Sequence, residues 1–390
     1  MPRSPERSPA VDAIPGAIFS PLAERIRSHE GPLFPLHVGD TWMEPFEGGR
    51  MEDLRTAEHA GMHRYVDTHG IPGLLDALVE KLRTRNGLAC ERRNLLATGG
   101  ATGALAAALG VVASPGEEVL ILAPFWPLIR GIVQSFRAEP VEVPFYDRVG
   151  SAAEAVACVR ERLSPRTVAL YVSTPSNPTG RVLPAEWLEA LAAFARREGL
   201  WILSDEVYED YVYRGEHVSI GRFAPERTFS VFSFSKAYGM AGNRVGYLTG
   251  PRALVDQARK ISTHTVYGAP TAAQLSAVRA LRGGGAWVDV AREQYRAAGA
   301  HAAAMLGQPS PGGSTFLFHD VSAFLDERGM HGFLEDCFED GVLIAPGASS
   351  GRDYATWVRL CYTAAPPDDV ALAVTRLAKR MGRKTERPGA

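Results

Sequence analysis

Residues 233–247, SFSKAYGMAGNRVGY, directly follow the apolar run Thr228–Phe232. This stretch places two serines and Lys236 at the end of a predicted strand, with Arg244 eight residues after the lysine. Lysine is costly to bury, so a lysine that leaves a core strand among hydroxyl groups indicates a chemical role, with imine formation the obvious one. A solvated loop lysine explains this stretch alone equally well, so the decision rests on the surrounding motifs.

The composition favours small-molecule chemistry. The 390 residues are 46% apolar and 22% charged, with a formal net charge of −2. Nucleic acid and anionic membrane surfaces attract basic proteins, so neither is expected as a partner. The four cysteines are scattered and form no CxxC pair, which predicts a reducing, cytoplasmic setting without zinc clusters. Neither a signal peptide nor a membrane-spanning run is expected.

Short apolar runs alternate with longer amphipathic ones from about residue 70 onward. Runs such as 118–123, 167–173 and 200–204 are typical of buried strands, and the segments between them are typical of helices. This alternation predicts an α/β fold, with three α/β/α layers around a mostly parallel central sheet. Beyond Gly283 the pattern changes to one long helix over 286–306, followed by further short strands, which indicates a domain boundary.

We therefore predict a large domain over residues 48–283. A smaller α+β domain is expected to combine residues 15–47 with residues 284–383. Disorder is expected at both ends of the chain, over 1–14 and 384–390.

Residues 98–105, TGGATGAL, are typical of a glycine turn that opens a helix. Such a turn usually binds a phosphate, because bare N–H groups and the helix N-terminus attract an anion. A short-chain dehydrogenase would carry this turn near its start and would need a Tyr-x-x-x-Lys pair. Here nearly a hundred residues precede the turn, and no tyrosine has a lysine four positions later. A single phosphate is therefore favoured over a dinucleotide.

Two further polar motifs follow predicted strands. STPSNPTG, residues 173–180, contains Asn177, and WILSDEVYEDY, residues 201–211, contains Asp205 and Tyr208. Open α/β sheets bind ligands at the carboxyl ends of their parallel strands. An acid, a phenol, an amide, a lysine, an arginine and a phosphate turn are therefore expected in one crevice.

In combination these motifs resemble those of the fold-type I, pyridoxal-phosphate-dependent aminotransferases of class I/II, the aspartate aminotransferase superfamily. The match extends from about Phe34 to about Arg380. The spacings of 28 residues from Asn177 to Asp205 and of 31 from Asp205 to Lys236 are close to those of the family. The resemblance implies transfer of the amino group of an L-amino acid to a 2-oxo acid by a ping-pong mechanism.

The resemblance also implies a role for each matching residue toward pyridoxal 5'-phosphate. Lys236 is expected to form the Schiff base, Asp205 to pair with the ring nitrogen, and Asn177 and Tyr208 to bind the 3-oxygen. Lys236, Asp205 and Tyr208 are therefore the expected catalytic residues. The expected phosphate contacts are Gly100, Ala101, Thr102, Ser233, Ser235 and Arg244.

Other implied roles concern the ring, the substrate and a second subunit. Trp126, in PFWPLIRGIV, is expected to stack on the ring. Tyr65, in RYVDTHGIPGL, resembles the tyrosine that reaches the phosphate of a neighbouring subunit, which implies a homodimer with shared active sites. Arg359, in TWVRLCYT, is expected to bind the substrate α-carboxylate, with Gly39 beside it.

The side-chain specificity and the reaction type stay open. Asn177 and Trp126 are expected to align the substrate. Family aspartate aminotransferases bind the distal carboxylate with a second arginine, but residues 261–270, ISTHTVYGAP, have none. With Trp42 and His264 as expected substrate contacts, a neutral, aromatic or polar substrate is favoured over aspartate. The alternative reaction is that of a pyridoxal-phosphate-dependent lyase, cyclase or side-chain-replacement enzyme, because the same scaffold supports these chemistries.

Two other kinds of site are not expected. His59 and His63 are spaced to share a helix face, but no third ligand follows, so no metal site is predicted. The roughly forty residues before the predicted fold are too few and not basic enough for a DNA-binding module.

Overall fold

The computed structural model describes residues 6–16 and 23–382, which form ten β-strands and twelve α-helices. The strands are β1 Leu95–Thr98, β2 Glu118–Ala123, β3 Glu139–Pro144, β4 Thr167–Ser173, β5 Trp201–Asp205, β6 Thr228–Ser233, β7 Gly246–Thr249, β8 Phe316–Asp320, β9 Ala345–Pro346 and β10 Trp357–Cys361. The helices are α1 Pro9–Asp12, α2 Ala23–Ser28, α3 Pro72–Thr84, α4 Gly100–Val112, α5 Leu128–Ser135, α6 Ala152–Arg160, α7 Ala185–Glu198, α8 Arg252–Thr265, α9 Thr271–Gly283, α10 Gly285–Met305, α11 Gly329–Glu339 and α12 Pro367–Arg380.

The large sheet has seven strands in the order β1-β7-β6-β5-β4-β2-β3. The five strands from β3 to β6 in that order are parallel, and β7 runs antiparallel to both β6 and β1. Strand β2 is buried along its whole length and is apolar except for Glu118, because helices cover both faces of the sheet. The predicted α/β fold with a mostly parallel sheet is confirmed.

The register of the parallel strands brings the polar motifs together. Ser173, the last residue of β4, pairs with Asp205, the last residue of β5, and Asp205 pairs in turn with Val231 of β6. The loops that follow these three strands therefore leave the sheet side by side. Helix α4, which is rich in alanine, packs closely on β6 and β7 and directs its first turn to the same edge.

The small sheet has three antiparallel strands in the order β8-β10-β9. Phe34 and Leu36 pack in one core with side chains of α10, α11 and α12. The domain bounds stay a prediction. Just before β9, Val342 and Leu343 pair with Phe34, whereas Ala345–Pro346 pairs with β10.

The structure describes part of the N-terminal segment that the sequence predicts to be disordered. Residues 9–12 form α1 within the segment that was expected to be disordered. Residues 1–5, 17–22 and 383–390 lie outside the described residues, and with them the expected disorder at 384–390. No helix in residues 6–16 or 23–382 combines the length and apolar composition needed to cross a bilayer.

Candidate active site

A cavity of about 220 Å³ lies at the carboxyl edge of the large sheet. It contains twelve of the sixteen predicted site residues, together with three apolar ones. The lining residues are Gly39, Ala101, Thr102, Leu105, Trp126, Asn177, Asp205, Val207, Tyr208, Ser233, Ser235, Lys236, Ala241, Arg244 and Arg359.

Asp205 is a buried carboxylate, with 6% of its surface exposed. Its Oδ2 accepts a hydrogen bond from the Tyr171 hydroxyl at 2.6 Å, and its Oδ1 accepts one from the Val207 amide at 3.3 Å. Burial raises the pKa of Asp205 to about 6. Among the described residues no cation forms an ion pair with this carboxylate, so the site is suited to a cationic ligand atom.

Arg359, on β10, is a buried cation whose hydrogen-bond partners are neutral. It donates from one terminal nitrogen to Asn177 Oδ1 at 3.1 Å and from the other to the His37 carbonyl at 2.9 Å. Its Nε has no partner among the described residues, and burial lowers its pKa. A guanidinium in this setting is suited to binding a carboxylate.

The Lys236 amine lies in the same cavity and donates a hydrogen bond to the Gly39 carbonyl. Burial lowers the pKa of Lys236. The Tyr211 hydroxyl donates to the Lys236 carbonyl at 2.8 Å, which fixes the backbone that carries the amine. Lowering of the pKa makes the unprotonated amine, the nucleophilic and basic form, easier to populate.

An anion cradle lies at the start of α4, where Ala101 and Thr102 face the cavity. The hydroxyl groups of Ser233 and Ser235, which also line the cavity, lie 2.9 Å apart. Arg244, with a positive φ of 53°, donates to the carbonyls of Ala241 at 2.8 Å and Gly99 at 3.3 Å. No carboxylate of the described residues pairs with this arginine, so it is available to an anion.

Gly100 was predicted as a phosphate contact but lies behind Arg244 instead of lining the cavity. Its φ is +77°, and a Cβ atom there would lie 2.5 Å from a terminal nitrogen of Arg244. Glycine at this position therefore permits both the turn and the close approach of the guanidinium.

Three other predicted residues do not line the cavity of their own chain. Trp42 packs against the small-domain core, and the exposed His264 at the end of α8 bonds the Lys260 carbonyl at 2.8 Å. Tyr65 is 85% exposed, with its ring 4.6 Å from that of Tyr267. The role of Tyr65 concerns a second subunit and stays a prediction.

Sequence reasoning did not single out two residues that contact the site. Tyr171 bonds Asp205, and Phe316 lies beneath Arg359 with 4.5 Å between the guanidinium carbon and the ring centroid. Strand alternation could have indicated Tyr171, because it lies two residues before Ser173 and shares its face. No sequence signal indicates Phe316, since its contact depends on how the small sheet packs.

A buried acid, a partly buried lysine and an anion cradle at the carboxyl edge of this sheet define a fold-type I pyridoxal-phosphate enzyme. Residues 36–377 match the family described as Aminotransferase class I and II. The chain belongs to this family and is an aminotransferase. The family depends on pyridoxal phosphate.

Individual relatives agree with this assignment. An aspartate/prephenate aminotransferase of Thermus thermophilus is 34% identical over 85% of this chain and 87% of its own length. An arginine–pyruvate transaminase of Pseudomonas aeruginosa is 33% identical over 61% of each chain. The solved structure of an aspartate aminotransferase from Thermus thermophilus with maleate superposes with a TM-score of 0.88 at 31% identity, covering 97% of this chain and 100% of the other.

Proposed function

We propose that this aminotransferase carries pyridoxal 5'-phosphate covalently on Lys236 and moves the amino group of an L-amino acid to a 2-oxo acid by a ping-pong mechanism. The observation that carries the proposal is the charge arrangement of one cavity. Lys236 shares it with two buried charges, Asp205 and Arg359, for which residues 6–16 and 23–382 supply no ion-pair partner. Unpaired buried charges are costly, so a ligand with complementary charges is needed to compensate them.

The described residues fit this cofactor at both of its charged ends. Asp205 offers a carboxylate to a protonated ring nitrogen. At the other end, the α4 N-terminus, the two serine hydroxyls and Arg244 offer hydrogen-bond donors and positive charge to a phosphate. Trp126 on the cavity wall offers an aromatic face to the ring. The residues expected from the sequence are therefore again proposed as cofactor contacts. The exception is Gly100, which is proposed to act by leaving room for Arg244.

When bound, the cofactor supplies an aldehyde that condenses with amines and a ring that withdraws electron density from the substrate Cα. The protein residues then bind the substrate and move a proton. Arg359 binds the α-carboxylate, and Asn177, which already accepts from Arg359, fixes the guanidinium. Lys236 Nζ takes the proton from Cα, which its lowered pKa favours. Tyr208 and Asn177 bind the 3-oxygen of the cofactor.

The proposed enzyme is a homodimer with shared active sites. Tyr65 and Tyr267 form an exposed aromatic pair, and Val266 beside them is also exposed, a surface suited to burial by a partner. Light scattering should give twice the chain mass. Tyr65→Phe should weaken cofactor binding without lowering the melting temperature if this hydroxyl reaches a phosphate of the second subunit.

The donor is proposed to have an uncharged side chain. Within the described lining, the cations are Lys236, Arg244 and Arg359, and each already has a proposed task. The named relatives act on aspartate and prephenate or on arginine and pyruvate, so these compounds belong in the same assay. A preference for aspartate over leucine, phenylalanine and tyrosine would contradict the proposed donor class.

The assay that tests the reaction incubates the purified, cofactor-loaded protein with single amino acids and 2-oxoglutarate. Transamination yields glutamate and one equivalent of the donor's oxo acid, and it needs the acceptor. Ammonia or a side-chain fragment released without an acceptor would instead indicate the lyase alternative. Parallel lines in double-reciprocal plots at several acceptor concentrations are the expected ping-pong signature.

Covalent attachment is tested by borohydride reduction of the loaded protein followed by peptide mass spectrometry. The expected result is a reduced adduct on Lys236 and its loss in Lys236→Ala. Lys260→Ala is the matched control, because Lys260 is exposed on α8 and its amine donates to Gln257 Oε1 at 2.8 Å, outside the cavity. An adduct on another lysine, or none, would contradict the assignment.

A further inference from the structure

Tyr171 is a wholly buried tyrosine in the middle of the large sheet. It lies on β4, two residues before Ser173, whose backbone pairs with that of Asp205 on β5. Its hydroxyl donates to Asp205 Oδ2 at 2.6 Å. Burial raises the pKa of Tyr171 well above its usual value, so the hydroxyl remains a neutral donor at every working pH.

The other ionisable groups around Asp205 do not replace this hydrogen bond. Burial has the largest effect on the pKa of Asp205 and raises it. The negative charge of the adjacent Glu206 raises this pKa by a smaller amount. Glu206 is itself held by His217 at 2.8 Å. The phenols of Tyr146 and Tyr208 stay neutral because burial raises the pKa of both. Among the described residues, Tyr171 is the one side chain that donates to Asp205.

We propose that Tyr171 is a positioning residue that holds Asp205 as a carboxylate and leaves its Oδ1 for the cofactor ring nitrogen. This inference rests on the proposed function of the site. Burial and Glu206 both favour the neutral acid, and Tyr171 opposes them by bonding the ionised form. With Oδ2 occupied by the phenol, Oδ1 is the oxygen with the weaker contact, a backbone N–H at 3.3 Å.

The test measures the ionisation of Asp205 in the apoprotein, so it does not depend on turnover. The Asp205 carboxyl is followed by infrared difference spectroscopy against pH, with the spectrum of Asp205→Asn in the same background subtracted. Tyr171→Phe removes the hydroxyl and keeps the ring. We expect it to raise the midpoint by about one pKa unit or more, because a hydrogen bond to a charged group stabilises that charge by this order.

Tyr146→Phe is the matched control. Tyr146 is also buried beside Asp205, but its hydroxyl bonds the backbone of Ser173. This variant should lose stability without moving the Asp205 midpoint. Equal midpoints in Tyr171→Phe and the unmodified protein, or equal shifts in both variants, would overturn the proposal.

A second substitution applies if Tyr171→Phe does not fold. Site-specific 3-fluorotyrosine at position 171 keeps the shape of the side chain and makes the phenol a stronger hydrogen-bond donor. It should therefore lower the midpoint of the Asp205 titration. An unchanged or raised midpoint contradicts the proposal. Fluorescence titration of apoprotein with pyridoxal 5'-phosphate gives a further readout. For a shift of about one pKa unit, Tyr171→Phe should bind about twofold more weakly at pH 7 and about tenfold more weakly at pH 5. If the cofactor does not bind at all, the proposed function fails while the infrared titration still decides the role of Tyr171.

Discussion

The ring of Phe316 lies beneath the guanidinium of Arg359, with 4.5 Å from the guanidinium carbon to the ring centroid. The same ring meets Tyr208 edge-on, with 5.8 Å between the centroids. A Cβ atom on Gly39 would lie 2.9 Å from its Cζ. A single side chain from the small sheet therefore contacts three residues proposed to bind substrate or cofactor, and it connects the two sheets at the site.

Replacement of this ring should weaken substrate binding more than it slows the reaction. In Phe316→Leu, Arg359 loses the aromatic face that stabilises its charge, an interaction of about 0.5–2 kcal/mol. We expect the KM for the amino donor to rise about three- to thirtyfold, with a smaller change in kcat. Steady-state kinetics with a fixed saturating acceptor measures both constants.

Phe194→Leu is the control for this substitution. Phe194 is also fully buried and lies beneath an arginine, Arg197, at 5.2 Å, but on the outer helix α7. Both variants should lower the melting temperature because each loses core volume. A rise in KM of similar size in the control would show that loss of packing alone explains the effect.

Asp205 is expected to oppose folding of the apoprotein above pH 6. Its carboxyl pKa is raised from 3.8 to about 6, so the folded state binds the proton more tightly than the unfolded state. The free energy of unfolding therefore falls as the pH rises through this window and stays reduced above it, by up to about 3 kcal/mol. Asn cannot ionise, so Asp205→Asn should be more stable than the parent at pH 7.5 and equally stable near pH 4.

Thermal unfolding of the two apoproteins across this pH range measures the difference. The same variant should lose aminotransferase activity by orders of magnitude, because nothing then keeps the cofactor ring nitrogen cationic. Asp210→Asn is the contrasting control, since Asp210 is as buried as Asp205 but is paired with Arg85. It should destabilise the apoprotein at pH 7.5. Stabilisation by both substitutions would contradict the argument from charge pairing.

A methyl group at Gly100 should displace Arg244 and weaken cofactor binding. The backbone at Gly100 has φ +77°, and the added Cβ would meet a guanidinium nitrogen at 2.5 Å. Gly100→Ala is expected to raise the dissociation constant of pyridoxal 5'-phosphate at least tenfold and to cost about 1 kcal/mol of stability. Gly116→Ala is the control, because Gly116 has φ +83° with open space around its Cβ position. It should show the loss of stability alone, and weakened binding in both variants would assign the effect to backbone strain.

Much of the site was predictable because strand ends are visible in the sequence. Asn177, Asp205 and Lys236 each follow an apolar run, and parallel strands bring their carboxyl ends to one edge. The role of Arg359 was implied by the resemblance of residues 356–363 to a strand of the family. The placement of Asn177, Asp205 and Lys236 depends on local signals and on one rule of sheet topology.

The remaining features depend on tertiary packing, which local patterns do not contain. β1 was not predicted, because its four residues run straight into the glycine turn. Phe316 reaches Arg359 only through the packing of the small sheet. His264 was placed by analogy of position within a segment, yet its ring bonds its own helix. Contacts that arise only from tertiary packing are therefore the ones that the sequence does not indicate.

Arg359→Met should separate stability from function at the carboxylate site. Met has a similar length and no charge, so it removes a buried cation whose hydrogen-bond partners in the described part of the chain are neutral. Because such cations cost free energy to bury, the melting temperature of the apoprotein should stay the same or rise. The kcat/KM for the amino donor should fall about a hundredfold or more, since the substrate α-carboxylate loses its guanidinium.

The same substitution should also change the pKa of His37. This pKa is about 4 because of burial and the nearby Arg359, and it should rise but stay below 6.5, since the burial remains. Histidine NMR titration of the apoprotein measures this shift, and unchanged kcat/KM together with an unchanged His37 pKa would contradict the assignment of Arg359.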